Sequence, residues 1–232
     1  MRNRNLHLHF IETIAAALGE LNEKVVFVGG AVVGLYANDL AAEDVRPTKD
    51  IDITLHIVSL GNLELLREEL LSKGFIQHAD DDVICRFRYK GILVDVMATH
   101  AVGWAPANRW FAPGFDHLIL QEVNKQTFRL LSLPYFMATK FDAHADRGGT
   151  DPRTSKDFED IVYLLDYVVD LEQQILAAPE DVKTYLIGQF DAILKDSLKQ
   201  EAILAQLPYD IQMERFRIII QRIEKVVLGY LY

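Results

Sequence analysis

Cysteine is nearly absent from this chain: Cys85 stands alone among 232 residues. A single thiol cannot close an intramolecular disulfide, and it cannot build a thiolate zinc site. Long apolar runs are missing too. Stretches such as Ile161–Leu165 and Ile218–Ile220 fall far short of the roughly 18–20 residues that span a bilayer. The opening residues, rich in Arg, Asn and His, lack the apolar core of a secretory signal. Together these absences predict a cytoplasmic protein with no membrane partner. Basic excess is missing as well: the formal net charge is −10. That balance argues against broad binding of phosphate backbones, while leaving room for a local basic groove. What remains is an ordinary globular composition, 50% hydrophobic and 25% charged, without repeats or low-complexity tracts. It suits one large domain or two small ones.

Periodicity divides the chain near residue 131. Leu6–Leu21 carries apolar residues at a 3.6 period and predicts a helix. The apolar run Lys24–Val28 ends in Gly29-Gly30 and predicts a buried strand entering a turn, followed by a helix over Ala31–Asn38. A polar loop over Asp39–Lys49 leads to a β-branched strand, Asp50–Val58. Asn62–Lys73 predicts a helix stopped by Gly74. Val83–Tyr89 and Ile92–Met97 predict strands joined at Lys90-Gly91, and His117–Val123 with Thr127–Leu131 a second hairpin. Beyond Pro134, which suits the first turn of a helix, helical periods dominate: Tyr135–Arg147, Ser155–Val169, Leu171–Ala178, Asp181–Leu198, Ile203–Leu207 and Ile211–Leu228. A turn cluster, Gly148-Gly149-Thr150-Asp151-Pro152, interrupts them. The fold class expected is α+β: an α/β domain over residues 1–131 and a helical domain over 132–232.

The chemistry concentrates in Lys49-Asp50-Ile51-Asp52-Ile53. Residues i and i+2 of a strand share a face, so Asp50 and Asp52 lie side by side while Ile51 and Ile53 turn into the core. Two adjacent carboxylates near a core repel and lose hydration, which is costly without a compensating cation or hydrogen bonds. Mg²⁺ (or Mn²⁺) supplies that compensation through carboxylate and phosphate oxygens. Asp95 is the one charge within the strand Leu93–Met97 and would join the pair if the strands neighbour each other. Three such carboxylates could hold two divalent ions, one activating a hydroxyl and one neutralising a leaving pyrophosphate. The glycines let backbone approach a ligand closely, and the N–H groups of the following helix start suit an anion. A nucleoside triphosphate answers both features. Singly, a Gly-Gly turn or an Asp-x-Asp pair is commonly structural; the ordered set carries the inference.

The sequence resembles the DNA-polymerase-β nucleotidyltransferase superfamily in having Gly29-Gly30, then Asp50/Asp52, then Asp95. Within it, Arg46-Pro47-Thr48-Lys49-Asp50-Ile51-Asp52-Ile53 is similar to the AbiEii-type branch, which holds abortive-infection toxins and related toxins that modify tRNA. A second stretch, with Lys140, then Lys156-Asp157 and Asp160, resembles that branch's Lys and Lys-Asp-x-x-Asp elements. The resemblance covers about residues 24–166. It implies a polymerase-β-type mixed sheet with flanking helices and a helical C-terminal portion. It further implies Mg²⁺-dependent transfer of a nucleotide from an NTP to an acceptor such as tRNA, and a possible antitoxin partner. By analogy, Asp50, Asp52 and Asp95 hold the metal, and Asp95 activates the acceptor hydroxyl. Gly29, Gly30, Arg46 and Thr48 face the nucleotide; Arg46 and Thr48, on the loop before the acids, are otherwise read as orienting Asp50 or capping the strand. Lys140 contacts the triphosphate, with Asp157 or Asp160 assisting or positioning it. Position 30 is Gly where the superfamily also uses Ser, so it offers no hydroxyl to a phosphate. The ion pairs around Lys140 are otherwise read as a surface network. Two other readings stand: a small-molecule nucleotidyltransferase with a cationic aminosugar as acceptor, and a catalytically inactive nucleotide-binding module.

The remaining candidates read as structural. The seven histidines lack metal-ligand spacing. Asp80-Asp81-Asp82 predicts a solvated turn. Arg86, Arg88 and Arg109 flank the candidate strands: they read as solvated arginines first and as bidentate triphosphate ligands second, and Trp110 reads as a packing residue more than a base-stacking one.

Overall fold

The computed structural model describes residues 2–147 and 151–229. Its strands are β1 (Val25–Val28), β2 (Asp50–Leu55), β3 (Arg86–Tyr89), β4 (Ile92–Ala98), β5 (Leu118–Val123) and β6 (Gln126–Leu131). They form a mixed sheet in the order β3-β4-β2-β1-β6-β5. β2 runs antiparallel to β1 and parallel to β4, and β1 runs parallel to β6. The two outer pairs are hairpins. Their tight turns place Lys90 at φ 49 with Gly91 at φ 82, and Asn124 at φ 49 with Lys125 at φ 67. Two successive positive φ values match the right-handed strand twist of a two-residue hairpin. All four residues of β1 are buried, as an inner strand requires, and Phe27 meets Phe128 edge-on at 5.8 Å. The α+β class expected from the sequence is the one observed.

The helices are α1 (Arg2–Leu18), α2 (Val33–Tyr36), α3 (Leu60–Ser72), α4 (Phe111–Gly114), α5 (Leu133–Asp146), α6 (Lys156–Tyr167), α7 (Leu171–Leu176), α8 (Glu180–Lys195), α9 (Ser197–Ala205) and α10 (Gln212–Gly229). Several boundaries depart from the sequence expectation for identifiable reasons. α1 starts four residues before its apolar stripe, because Asp44 accepts hydrogen bonds from the N–H groups of Asn3 and Arg4 at 2.7 and 2.9 Å. It ends at Gly19, whose φ of 57 terminates the α-helix, and a 3₁₀ turn completes the predicted span to Leu21. A continuous helix over Asp181–Leu198 does not form. Asp196 caps α9 by accepting from Leu198 and Lys199, so the chain breaks there. The residues Val83–Cys85, expected in strand, form a turn closed by Arg86 N–H to Val83 O. Of the turn cluster 148–152, residues 148–150 lie outside the described residues.

The chain separates into two compact units. One comprises residues up to Leu35 together with Glu43–Ser132; the other comprises Tyr36–Ala42 and the residues from Leu133 onward. In the second unit Tyr36 stacks on Phe136 at 4.5 Å, and the N–H groups of Asn38 and Asp39 both donate to Tyr167 O. Arg215 on α10 binds Asp166 and reaches Asp39. Among the described residues, no helix is long and apolar enough to cross a membrane.

Candidate active site

Strand register assembles the acidic cluster in the first unit. Asp52 is paired with Asp95 across the parallel β2–β4 ladder and with Val28 across β1–β2. Ile51 and Ile53 are buried while Asp50 and Asp52 stay partly open, as the alternation predicts. On β4 the same alternation buries Val94 and Val96 and leaves Asp95 half-buried.

The Gly29 turn belongs to this cluster physically. Gly29 has φ 73, and a Cβ there would lie 1.7 Å from Asp52 Oδ2. Only glycine allows the strand to end against that carboxylate. At Gly30 a Cβ would fall 2.5 Å from Arg46 Nη2, so Arg46 sits directly over the second glycine. Thr48 Oγ1 donates to Asp50 Oδ1 at 2.9 Å. The loop that carries Arg46 and Thr48 is fixed to α1: Asn3 Nδ2 donates to Val45 O at 2.8 Å, and Thr48 N–H donates to His7 Nε2 at 3.1 Å. His7 is thus a buried structural residue, as expected. The structure brings together Gly29, Gly30, Arg46, Thr48, Asp50, Asp52 and Asp95.

It also brings in Arg86, which the sequence offered either as a solvated arginine or as a triphosphate ligand. Arg86 is not simply solvated. Its Nε and Nη2 donate to the two oxygens of Asp95, each at 2.7 Å, and Nη2 reaches Asp50 Oδ2 at 3.2 Å. The hydrogen bonds to Asp95 raise the Arg86 pKa above its usual value, against the opposing effect of burial. The signal was present in the hairpin. A two-residue turn at Lys90-Gly91 pairs Tyr89 with Ile92, and counting back puts Arg86 opposite Asp95. Next to it, burial and then the charge of Asp95 push the Cys85 thiol up to about 11, so that thiol is an inert packing group.

Metal fit follows from the donors. Asp50 and Asp52 offer the hard oxygen ligands that suit Mg²⁺. Asp95 is a third carboxylate beside them, and both its oxygens accept from Arg86. Among the described residues, no group of three or more His, Cys, Asp and Glu side chains is arranged to hold a metal ion.

Lys140, Asp157 and Asp160 belong to the helical unit. Lys140 Nζ lies 3.3 Å from Asp157 Oδ1 and 2.7 Å from Asp160 Oδ2. Asp157 and Asp160 sit one turn apart on α6, which turns both towards α5. Arg147 Nη1 adds a contact to Asp157 Oδ2 at 2.8 Å. The network is not on the surface: Lys140, Asp157 and Asp160 are 5%, 4% and 2% exposed. A buried lysine with two carboxylates gains little net stability over apolar packing, and such clusters gather at functional sites.

The other candidates resolve as packing and ion pairing. Trp110 is only 8% exposed, with Arg109 over its ring at 5.2 Å. Asp81 is not a merely solvated turn residue; it accepts both arms of Arg88.

A family model described as the nucleotidyl transferase AbiEii toxin of a type IV TA system matches residues 13–224. The match extends well past the 24–166 stretch in which the resemblance was legible, through most of the helical unit. Among solved structures, the chain is similar to an antigenic nucleotidyltransferase-like protein from Paracoccidioides brasiliensis. The two are 18% identical with a TM-score of 0.50, over 89% of this chain and 95% of that one; at this identity the likeness is one of fold. No curated protein matches the chain.

Proposed function

The chain belongs to the AbiEii nucleotidyl transferase toxin family, and from that premise we propose that it is a Mg²⁺-dependent enzyme that transfers a nucleotide from an NTP to an acceptor hydroxyl on RNA such as tRNA. The observation that carries this reading is the contact between the Gly29 turn and the Asp52 carboxylate. It puts the glycine turn against the Asp50/Asp52 pair, which supports reading the two as one phosphate and metal site. Asp50 and Asp52 would hold Mg²⁺, which when bound neutralises charge on the leaving pyrophosphate. Gly29 and Gly30 let backbone approach the phosphates, and Arg46 above Gly30 offers a cation to them. Thr48 orients Asp50 through its hydroxyl. The acceptor oxygen attacks the α-phosphorus, the bond to the β-phosphate breaks, and pyrophosphate leaves with the electron pair. The hydroxyl proton passes to a carboxylate on this face. In the helical unit, Lys140 with Asp157 and Asp160 forms a buried charged cluster of its own. An antitoxin protein is the partner that fits the family.

Calorimetry of NTP binding with Mg²⁺ tests the core of this reading. Asp52→Ala is expected to lose Mg²⁺-dependent binding, and unchanged binding would sink the metal assignment. Labelled NTPs offered with total tRNA or with aminoglycosides then decide the acceptor. Label on tRNA alone is expected; label on aminoglycosides alone favours a small-molecule acceptor.

A further inference from the structure

The Asp95 carboxylate has one dominant neighbour. Arg86 meets both of its oxygens at 2.7 Å through Nε and Nη2, the bidentate geometry in which guanidinium–carboxylate pairs are strongest. The partners face each other in the β3–β4 register, so the hairpin itself builds the pair. The side chains of Arg86 and Asp95 are 18% and 13% exposed, which limits screening by solvent. A carboxylate held this way is a poor ligand for a second cation, because the guanidinium already occupies both its oxygens and repels the cation. Arg86 itself is not used up. Its Nη2 continues to Asp50 Oδ2 at 3.2 Å, while no hydrogen bond of Nη1 to another described residue accompanies these. A guanidinium has five N–H donors in a fixed plane, so the Asp95 pair fixes that plane and leaves donors to face a ligand.

We infer that Asp95 serves the site as the anchor of Arg86, and that Arg86 is the fixed cation that meets the phosphates of the nucleotide beside Asp50 and Asp52. The inference rests on the nucleotidyl-transfer reading above and refines it. Asp95 becomes a positioning residue, and the metal is left to a two-carboxylate set. The arrangement has a clear logic: three acids crowd one sheet face, and a cation on the neighbouring strand offsets them before any nucleotide arrives.

Two measurements on the full chain test it. The first is Mn²⁺ binding without nucleotide, followed by electron paramagnetic resonance. D95N is expected to stay within about threefold of wild type while D52N loses at least about tenfold. A D95N loss as large as that of D52N overturns the inference. The second is calorimetric binding of a non-hydrolysable NTP against the matching nucleoside monophosphate. R86Q and D95N are each expected to weaken triphosphate binding by about tenfold relative to the monophosphate. The double variant should be no weaker than R86Q alone, since the two residues act as one unit; additive losses overturn the inference. R86K keeps the charge without the fork and should recover part of the triphosphate affinity, and it stands in if R86Q does not fold. If D52N also keeps its Mn²⁺ affinity, the metal-assisted reading is what fails, and the triphosphate cycle still tests the anchor.

Discussion

A single methyl group decides whether the candidate site can exist. A Cβ at position 29 would lie 1.7 Å from the Asp52 carboxylate, on a backbone at φ 73. A backbone at φ 73 and ψ −163 is open essentially to glycine alone and costs another residue roughly 1–3 kcal/mol, and the overlap adds displacement of Asp52. Gly29→Ala is therefore expected to lower Tm by at least about 3 °C and to abolish Mg²⁺-dependent NTP binding, read by thermal melts and calorimetry. Much of the residue-level picture was legible. The alternation of Asp50, Ile51, Asp52 and Ile53 fixes which side chains are buried, and the Gly-Gly pair marks the turn. What local patterns could not reveal is that Gly29 touches Asp52, because that contact depends on β1 lying beside β2. Arg86 was legible only by counting register back from a hairpin turn. Taken as an isolated basic residue, it looks like any solvated arginine.

At the scale of the element, α1 matters most to the site it does not enter. No acidic residue lies in its first turn, and Asp44, far along the chain, supplies the charge that accepts from Asn3 and Arg4 N–H. Burial pushes the Asp44 carboxyl up, but hydrogen bonds, those from the Arg4 and Asn3 N–H groups largest among them, together with nearby positive charge outweigh it and bring it down to about 2. An unfolded aspartate titrates near ~3.9. The contribution of Asp44 is thus complete above that value and disappears as pH falls towards 2. D44A is expected to melt below wild type at neutral pH, with a cost of about 1 kcal/mol, typical of a lost helix cap. The gap in Tm should close as the pH is lowered through that window, and a gap unchanged at pH about 2 would count against the assignment. NTP binding should weaken as well, because the residues after Asp44 carry Arg46 and Thr48. The body of each helix was readable from its period. Ends set by distant partners, as at Asp44, were not, while the cap at Asp196 was local and could have been read from its position before Ser197 and Leu198.

For the molecule as a whole, the sequence suggests an α/β domain to residue 131 and a helical domain after it. The segment Tyr36–Ala42 nevertheless joins the helical unit, because Tyr36, Ala37 and Ala42 bury themselves there to 8%, 9% and 6% exposure. Tyr36 and Ala37 close a short predicted helix and Ala42 lies in the polar loop after it, so local periodicity does not say which unit buries them. A chain ended at residue 132 is expected to expose Tyr36 without Phe136 and Ala42 without Tyr167. Light scattering should then show concentration-dependent association that the full chain lacks, and a monodisperse fragment would contradict this. The sheet order has a further outcome, set in time. β1 and β2, with Gly29 and both acids of the pair, leave a ribosome before β6 does. Yet Phe27 takes its parallel partner from Leu130, and translation at about 5–20 residues per second delivers β6 only seconds later. Until then β1 keeps an unpaired inner edge, so a nascent chain bearing every acid of the cluster still lacks the finished sheet that holds them in register.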